Sequence, residues 1–147
     1  MNFASPSQAG LHLMGMTGGL DWNCLDFKAL LTTEWMTLIS ATFLHGSLLH
    51  ILFNLSWLNS LGRWIVEIFG AAWLVILYIL TGVTGFLASN LMGAPPTIGA
   101  SCSIFGLMGA LIVFGKRRGG ELGKRLNRQV WAWAIIGFLL GFAMPQI

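Results

Sequence analysis

Long stretches without a charged residue are the main feature of the hydrophobic pattern of this chain. No Asp, Glu, Lys or Arg occurs within residues 35–62, 68–115 or 129–147. A helix that crosses a bilayer needs about 20 consecutive, mainly apolar residues. The first and last tracts each have room for one such helix, and the middle tract, which Gly and Pro interrupt at 93–97, has room for two. The pattern therefore predicts an all-α, polytopic helical membrane protein with about four transmembrane helices.

One of the predicted spans is shorter than the others. We place the spans near residues 47–67, 71–91, 101–115 and 130–143, after an irregular, partly helical outer surface segment over residues 1–34. Residues 101–115 give about 22 Å of helix, which is less than the ~30 Å thickness of the hydrocarbon core. Irregular backbone at membrane depth is tolerated only beside protein or a water-filled cavity. The start of this helix, Ser101, is therefore predicted to lie in a recess below the outer membrane surface.

Composition excludes a soluble domain, and the charge distribution predicts an orientation. Hydrophobic residues make up 56% of the chain and charged residues 9%, whereas soluble domains carry about 25% charged residues. An excess of Lys and Arg marks cytoplasmic loops, so we expect a cytoplasmic loop at residues 116–128, both chain ends outside, and residence in the cell membrane. This loop also accounts for the net charge of +3 without nucleic acid, which is not expected as a partner. Six of the eight basic residues lie in it, opposed by Glu121: Lys116, Arg117, Arg118, Lys124, Arg125 and Arg128.

Three polar residues in otherwise apolar spans are candidates for chemistry. His50 and Asn54 are four residues apart and share one helix face, and Ser101 begins the short third span. Taken singly, a histidine near a span end is often an interfacial hydrogen-bonding group, and a serine among small residues is often a helix cap. An ionisable residue inside a span is nevertheless a functional candidate, and the three together favour a polar site. Cys24 and Cys102 have no metal-ligand spacing, so neither a metal nor another cofactor is expected.

Two motifs resemble those of the rhomboid family of intramembrane serine proteases. Residues 43–54, Phe-Leu-His-Gly-Ser-Leu-Leu-His-Ile-Leu-Phe-Asn, look like the second-helix motif of that family. Residues 99–109, Gly-Ala-Ser-Cys-Ser-Ile-Phe-Gly-Leu-Met-Gly, are similar to its GxSG nucleophile motif. The resemblance implies a rhomboid-like helical bundle in the lipid bilayer. It also implies a serine endopeptidase that cleaves transmembrane segments of membrane proteins.

The resemblance assigns roles to individual residues. Ser101 matches the nucleophile that attacks the scissile carbonyl, and His50 and Asn54, with the backbone N–H of Ser101, match the groups that stabilise the oxyanion. This agrees with the physics, because a helix N-terminus favours negative charge and preorganised donors in a dry site act strongly. Three positions have supporting roles: Gly99 allows close backbone approach, Phe105 occupies the position whose ring packs on the catalytic histidine, and His45 has a structural role.

Two departures from the family pattern bear on activity. Cys102 replaces the glycine that usually follows the nucleophile, which places a thiol, an alternative reactive group, next to Ser101. The general base of the family is a histidine on a final helix. The three histidines here are His12, in the surface segment, and His45 and His50, at second-helix positions. The catalytic dyad is therefore predicted to be incomplete in these 147 residues.

Three interpretations are open from the sequence. In the first, residues 1–147 are an incomplete rhomboid-like domain with four of the six core helices; the parent protein is an active protease and this chain alone is inactive. In the second, the chain is a catalytically inactive rhomboid-like protein that binds transmembrane clients. In the third, it is a small transporter or channel subunit in which His50 and Asn54 line a polar path. A histidine on a glycine-rich span beyond Ile147 would favour the first interpretation.

Overall fold

The computed structural model describes residues 35–92 and 97–143, and these residues fold into five helices. No strand occurs in the two described ranges, so the predicted all-α fold class is confirmed. The outer surface segment predicted over residues 1–34 lies outside the described residues. The helices are α1 (Trp35–Ser40), α2 (Leu48–Phe69), α3 (Ala71–Leu91), α4 (Ser101–Arg118) and α5 (Gly120–Ala143).

Local sequence sets both ends of α2. Ser47 precedes the helix in an extended conformation, and its side chain accepts a hydrogen bond of 3.1 Å from the backbone N–H of His50. This is the usual N-cap arrangement, which satisfies one of the free N–H groups at a helix start. At the other end Gly70 adopts φ +92, and its N–H donates to the carbonyl of Val66 at 2.9 Å. Because α3 begins at Ala71, this one glycine connects the two helices.

The four long helices have lengths close to the thickness of a membrane. α2 and α3, with 22 and 21 residues, are about 33 and 32 Å long at 1.5 Å per residue. The bounds of α3 agree with the predicted span over residues 71–91. α4 has 18 residues, about 27 Å, and ends three residues later than predicted. Its last turn is Lys116–Arg118, so the apolar part of the helix is the short stretch that the sequence indicated.

The prediction of a loop over residues 116–128 is wrong. Lys116–Arg118 complete α4 and α5 starts at Gly120, so Gly119 alone lies between the two helices. Gly119 and Gly120 both have φ +63, a region that costs other L-residues about 1–3 kcal/mol, and together they reverse the chain. Glu, Lys, Arg and Leu follow the turn, and these residue types favour helix. The predicted fourth span over residues 130–143 is therefore the second half of α5.

α4 is the central helix and packs against α2, α3 and α5. Its buried apolar side chains form the main core with Leu61 and Ile65 of α2 and Val130 of α5. Its buried residues are Ser103, Ile104, Leu107, Met108, Leu111 and Gly115. The helix that carries the candidate nucleophile is thus held from three sides.

The surrounding helices turn large apolar side chains outward. Water around so many apolar groups would be unfavourable by about 25 cal/mol per Å² of exposed surface, whereas lipid would not be. On length and composition alone, one stretch of the described helices, Ala71–Ser89, qualifies as a membrane span. The other long helices contain charged, polar or small residues that lower their hydropathy. Exposed apolar residues include Leu52 and Leu55 of α2, Val75 and Leu80 of α3, and Ile135 and Leu139 of α5.

Glycines allow α3 and α4 to approach closely. A Cβ atom at Gly82 would lie 2.5 Å from Oγ of Ser103, and a Cβ atom at Gly106 would overlap the side chain of Thr81. The hydroxyl of Thr81 donates to the carbonyl of Leu77 at 2.7 Å and contacts the carbonyl of Ser103 at 3.3 Å. We call these residues (Thr81, Gly82, Ser103 and Gly106) the α3–α4 seam. Small residues at such positions are typical of helix contacts in membranes.

Candidate functional site

A cavity of about 270 Å³ is lined by residues of α2, α4 and α5. It contains four of the residues that the sequence predicted for the site. The polar groups come from α2 and α4, and α5 contributes glycine and apolar side chains. The lining residues are His50, Phe53, Asn54, Trp57, Ser101, Phe105, Gly137, Phe138, Leu140 and Gly141. We call this space the serine cavity.

The α2 side of the serine cavity carries two buried polar side chains. His50 is 8% exposed and Asn54 is 4% exposed, as expected for residues one turn apart on the same face. The Asn54 amide nitrogen donates to the carbonyl of His50 at 3.1 Å. An amide group has two N–H donors, so this bond fixes the side chain and occupies one of them. The second N–H can serve a group in the cavity.

Ser101 is the first residue of α4 and is half-buried. Ala100 precedes it as the N-cap, and no side chain caps this helix end. Ala100 accepts the first helical hydrogen bond, from the N–H of Ile104 at 2.9 Å. The first N–H groups of a helix have no acceptor within the helix, and the helix dipole makes this end attractive to negative charge. The start of α4 therefore offers backbone donors beside a hydroxyl.

Gly99 brings the segment before α4 against His50. Its φ is +115, and a Cβ atom there would lie 2.7 Å from both Cε1 and Nε2 of His50. Its N–H donates to the carbonyl of Ala41 at 2.9 Å. The Gly99 backbone therefore lies so close to His50 that any larger residue would displace the imidazole.

The turn after α1 is linked to α3 as well as to Gly99. The hydroxyl of Tyr78 donates to the carbonyl of Thr42 at 3.1 Å, next to the Ala41 carbonyl that accepts from Gly99. The rings of Phe43 and Tyr78 lie 5.8 Å apart. Sequence reasoning missed Tyr78 and Thr42, because their contact joins positions 36 residues apart. These two contacts hold the segment that supports Gly99.

His45 lies beside His50 and does not line the serine cavity. The two imidazole rings meet edge to face with centroids 5.0 Å apart. Nδ1 of His45 donates to the carbonyl of Phe43 at 3.1 Å. Burial lowers the pKa of His45, because desolvation disfavours the charged ring, and the bond to Phe43 opposes this shift. The structural role that the resemblance implies for His45 stays a prediction.

The neighbours of Ser101 on α4 face different sides. Phe105, one turn along the helix, lines the serine cavity. Cys102 packs toward α3, where its Sγ would lie 3.1 Å from a Cβ atom at Gly85. The hydroxyl of Ser103 faces Gly82 in the α3–α4 seam. Ser101 is therefore the hydroxyl of this helix start that lies in the cavity, and the Cys102 thiol is directed elsewhere.

Sequence reasoning also missed part of the cavity wall. Phe53 and Trp57 follow His50 at the third and seventh positions, so helical spacing alone could have placed them on the same face. No sequence pattern indicated which residues of α5 line the cavity, because this depends on how α5 packs against the other helices. A Cβ atom at Gly137 would lie 2.7 Å from the ring of Trp57. Farther along the same two helices, the rings of Trp64 and Trp133 stack at 5.3 Å.

A second cavity, of about 400 Å³, lies on the other side of Asn54 and is mostly apolar. Asn54 lines both cavities, so this residue forms part of the wall between them. The residues around this second space come from α2, α3, the segment after α1 and the N-cap of α4, and include Ile51, Leu55, Leu58, Leu74, Val75 and Ile79.

Comparison with known proteins identifies the family. Rhomboid protease GluP of Bacillus subtilis is 30% identical over 114 residues, which cover 78% of this chain and 22% of that protein. Rhomboid protease GlpG of Yersinia pestis is 31% identical over 129 residues, covering 88% of this chain and 45% of that protein. Rhomboid protease GlpG of Haemophilus influenzae is 32% identical over 108 residues, which cover 73% of this chain and 55% of that protein. The chain thus spans about a fifth to about half of the length of these relatives.

No solved structure matches the chain significantly. The model of the Rhomboid domain family matches residues 32–147, which is most of the chain. Its match includes both motifs that resemble the family and all five described helices. The chain therefore belongs to the rhomboid family of integral membrane proteins.

Proposed function

We propose that the protein to which this chain belongs is an intramembrane serine endopeptidase that cleaves transmembrane segments of other membrane proteins. The observation that carries the proposal is that His50, Asn54 and Ser101 line one cavity. The start of α4, without a side-chain cap, lies at the same place. Relatives named rhomboid proteases support the same reaction class.

In this mechanism the hydroxyl oxygen of Ser101 attacks the scissile carbonyl and forms a tetrahedral intermediate. The resulting oxyanion accepts hydrogen bonds from the Ser101 backbone N–H, the free Asn54 N–H and the His50 imidazole. Such donors are preorganised here, because Asn54 is fixed by its bond to the His50 carbonyl and His50 is packed against Gly99. Donors that need not reorient stabilise the developing charge most effectively.

The mechanism also requires a general base, since a serine hydroxyl is a weak nucleophile. His50 has the oxyanion role in this proposal, and His45 lies outside the lining of the serine cavity. The third histidine, His12, belongs to the outer surface segment that the sequence predicts over residues 1–34. We therefore assign the base to a histidine of the whole protein outside these 147 residues. On this proposal the 147-residue chain alone does not turn over substrate.

The site belongs near the outer face of the cell membrane. The six cations around the α4–α5 turn favour the cytoplasm for that end of the bundle. Ser101 is at the opposite end of α4, in a recess that water enters from outside. This orientation suits attack on transmembrane segments of substrates near the outer surface of the bilayer.

The test is reaction of the whole protein with a fluorophosphonate, a mechanism-based label of activated serines. The whole protein should be labelled at Ser101 and should cleave a transmembrane substrate, and Ser101→Ala should abolish both. Ser103→Ala is the matched control, because it removes a hydroxyl of the same helix that faces α3, and it should retain labelling. Asn54→Ala should lower the cleavage rate by at most about 10²–10³-fold, as the loss of one oxyanion donor does.

The 147-residue chain, assayed in parallel, should not be labelled. Strong labelling of Ser101 in this chain would show that His50 or another group within it acts as the base, and the oxyanion role of His50 would be wrong.

A second candidate is a catalytically inactive rhomboid-like protein that binds transmembrane clients. The observation that favours it is the set of three histidines in the sequence, none of which is assigned as a base. If the whole protein binds transmembrane segments yet neither reacts with the fluorophosphonate nor cleaves them, this second function is correct.

A further inference from the structure

The α4–α5 turn carries the densest charge of the chain. Between residues 116 and 128 there are six cations and one anion, Glu121, which gives a net charge of +5. All six cationic residues are exposed. They come from the last turn of α4 and the first turns of α5: Lys116, Arg117, Arg118, Lys124, Arg125 and Arg128. We call this surface the basic turn.

Close packing makes the basic turn a single cluster. Gly115 of α4 and Gly123 of α5 are in such close contact that a Cβ atom on either would overlap the opposite helix. Asn127 lies between the helices, and in the amide orientation that satisfies both neighbours it donates to the Ile112 carbonyl at 3.0 Å and accepts from the Lys116 N–H at 3.2 Å. The two glycines with φ +63 reverse the chain directly. The cations of both helix ends are therefore held side by side rather than dispersed on a long loop.

Among the residues that the structure describes, little of this charge is neutralised. Glu121 contacts Lys124 at 3.4 Å, and the two side chains are 74% and 71% exposed. Such exposed pairs interact weakly. This is the one ion pair formed among the described residues, so the other five cations of the basic turn have no carboxylate partner in that part of the chain and can bind an external anion.

Apolar side chains lie beside the cations. Leu122 is 66% exposed and Trp131 is 50% exposed, and on α5 they precede and follow the segment that carries Lys124, Arg125 and Arg128. Tryptophan is enriched where membranes meet water. A partner of this surface must therefore present anionic groups and hydrocarbon at the same boundary, which nucleic acid does not.

We propose that the basic turn binds anionic phospholipid headgroups, with Leu122 and Trp131 against the adjoining acyl chains. The proposal does not depend on protease activity. Basic residues beside a membrane bind anionic lipids with an affinity that grows with each added Lys or Arg, roughly fivefold per residue. Because six cations are held together, binding of phosphatidylglycerol should clearly exceed that of zwitterionic phosphatidylcholine.

The experiment measures quenching of Trp131 fluorescence by brominated lipids in vesicles that contain the reconstituted chain. The signal of Trp131 is the difference between the chain and its Trp131→Phe variant. Brominated phosphatidylglycerol should quench at a much lower mole fraction than brominated phosphatidylcholine, by a factor of ten or more, and 0.5 M NaCl should reduce this preference because salt screens exposed charges.

Matched charge removals test the location. Arg118→Gln should weaken the phosphatidylglycerol preference roughly fivefold, and combining it with Arg117→Gln and Arg125→Gln should remove most of it. Arg63→Gln is the control, because Arg63 is an exposed cation of α2 bound to its own helix through the Asn59 carbonyl at 3.2 Å. It should leave the preference unchanged. Helical circular dichroism checks that each variant is folded.

Three outcomes would overturn the proposal. The first is equal quenching by the two lipids in the unmodified chain, and the second is an unchanged preference in the folded triple variant. The third is displacement of phosphatidylglycerol by a DNA duplex at equal phosphate concentration, which would assign the basic turn to nucleic acid instead.

Discussion

Gly99 is constrained by its backbone conformation and by the side chain in front of it. With φ +115 and His50 at 2.7 Å from a hypothetical Cβ atom, alanine would strain the backbone and push the imidazole away. A displacement of about 1 Å at a catalytic group can lower a rate by 10²-fold. We therefore expect Gly99→Ala in the whole protein to reduce fluorophosphonate labelling of Ser101 by about that factor.

Two other glycines separate the causes of this effect. At Gly46 an added Cβ atom would lie 3.8 Å from Cδ1 of Ile98, which is an ordinary van der Waals contact. Gly70 has φ +92, and nothing lies within 4 Å of a Cβ atom added there. Gly46→Ala should leave labelling unchanged, and Gly70→Ala should lower thermal stability without a comparable loss of labelling. If Gly70→Ala lowers labelling as much as Gly99→Ala, backbone strain is the cause and the contact with His50 is not.

For individual residues, the sequence predicted the polar side chains of the serine cavity better than the residues that pack around them. His50, Asn54 and Ser101 could be identified because charge-free spans make polar residues conspicuous and helical spacing relates two of them. The roles assigned to them are still predictions. Tyr78 could not be identified, since its hydroxyl acts on Thr42 through a contact that only the packing of α3 against the turn creates.

Among the helices, the α3–α4 seam sets how deeply α4 sits between its neighbours. A valine at Gly106 would overlap Thr81, and overpacking of this kind costs typically 1–3 kcal/mol. Gly106→Val should therefore lower the midpoint of thermal unfolding, measured by circular dichroism in detergent. Gly109→Val is the matched control on the same helix, because nothing lies within 4 Å of a Cβ atom there.

A fall in the unfolding midpoint for Gly109→Val equal to that for Gly106→Val would mean that loss of helix propensity is the cause. The seam would then have no special role in the stability of the bundle.

The bounds of a helix could be predicted from the sequence where a hydrophobic, charge-free tract determines them. α2 and α3 lie largely within the charge-free tracts 35–62 and 68–115, and their ends differ from those of the predicted spans by two residues at most. The α4–α5 connection was not predicted, because a run of charges indicates where the membrane ends but not where the helix ends. Helix continues through Lys116–Arg118, since these side chains reach water from a helical backbone, and the reversal is made by Gly119.

For the whole molecule, the orientation of the bundle is a prediction that labelling can test. In a chain with Cys24→Ser and Cys102→Ala, single cysteines are introduced as Met36→Cys on α1 or Arg125→Cys in the basic turn; both positions are exposed. A membrane-impermeant maleimide added to intact cells should label position 36 and should label position 125 only after permeabilisation. Rapid labelling of position 125 in intact cells would reverse the orientation proposed for the bundle.

The central position of α4 has a consequence for the insertion of the protein into the membrane during synthesis. Among the described helices, α4 has the most fully buried residues, yet it does not qualify as a membrane span on length and composition. α3, which is synthesised before α4, does qualify. Polar backbone and hydroxyl groups are costly in lipid unless they are satisfied within the protein. We therefore expect α3 to leave the translocon first and α4 to enter the bilayer against it, with Gly82 already facing Ser103 and Gly106 already facing Thr81. A change in the seam would then reduce the amount of correctly inserted protein as well as the stability of the finished bundle.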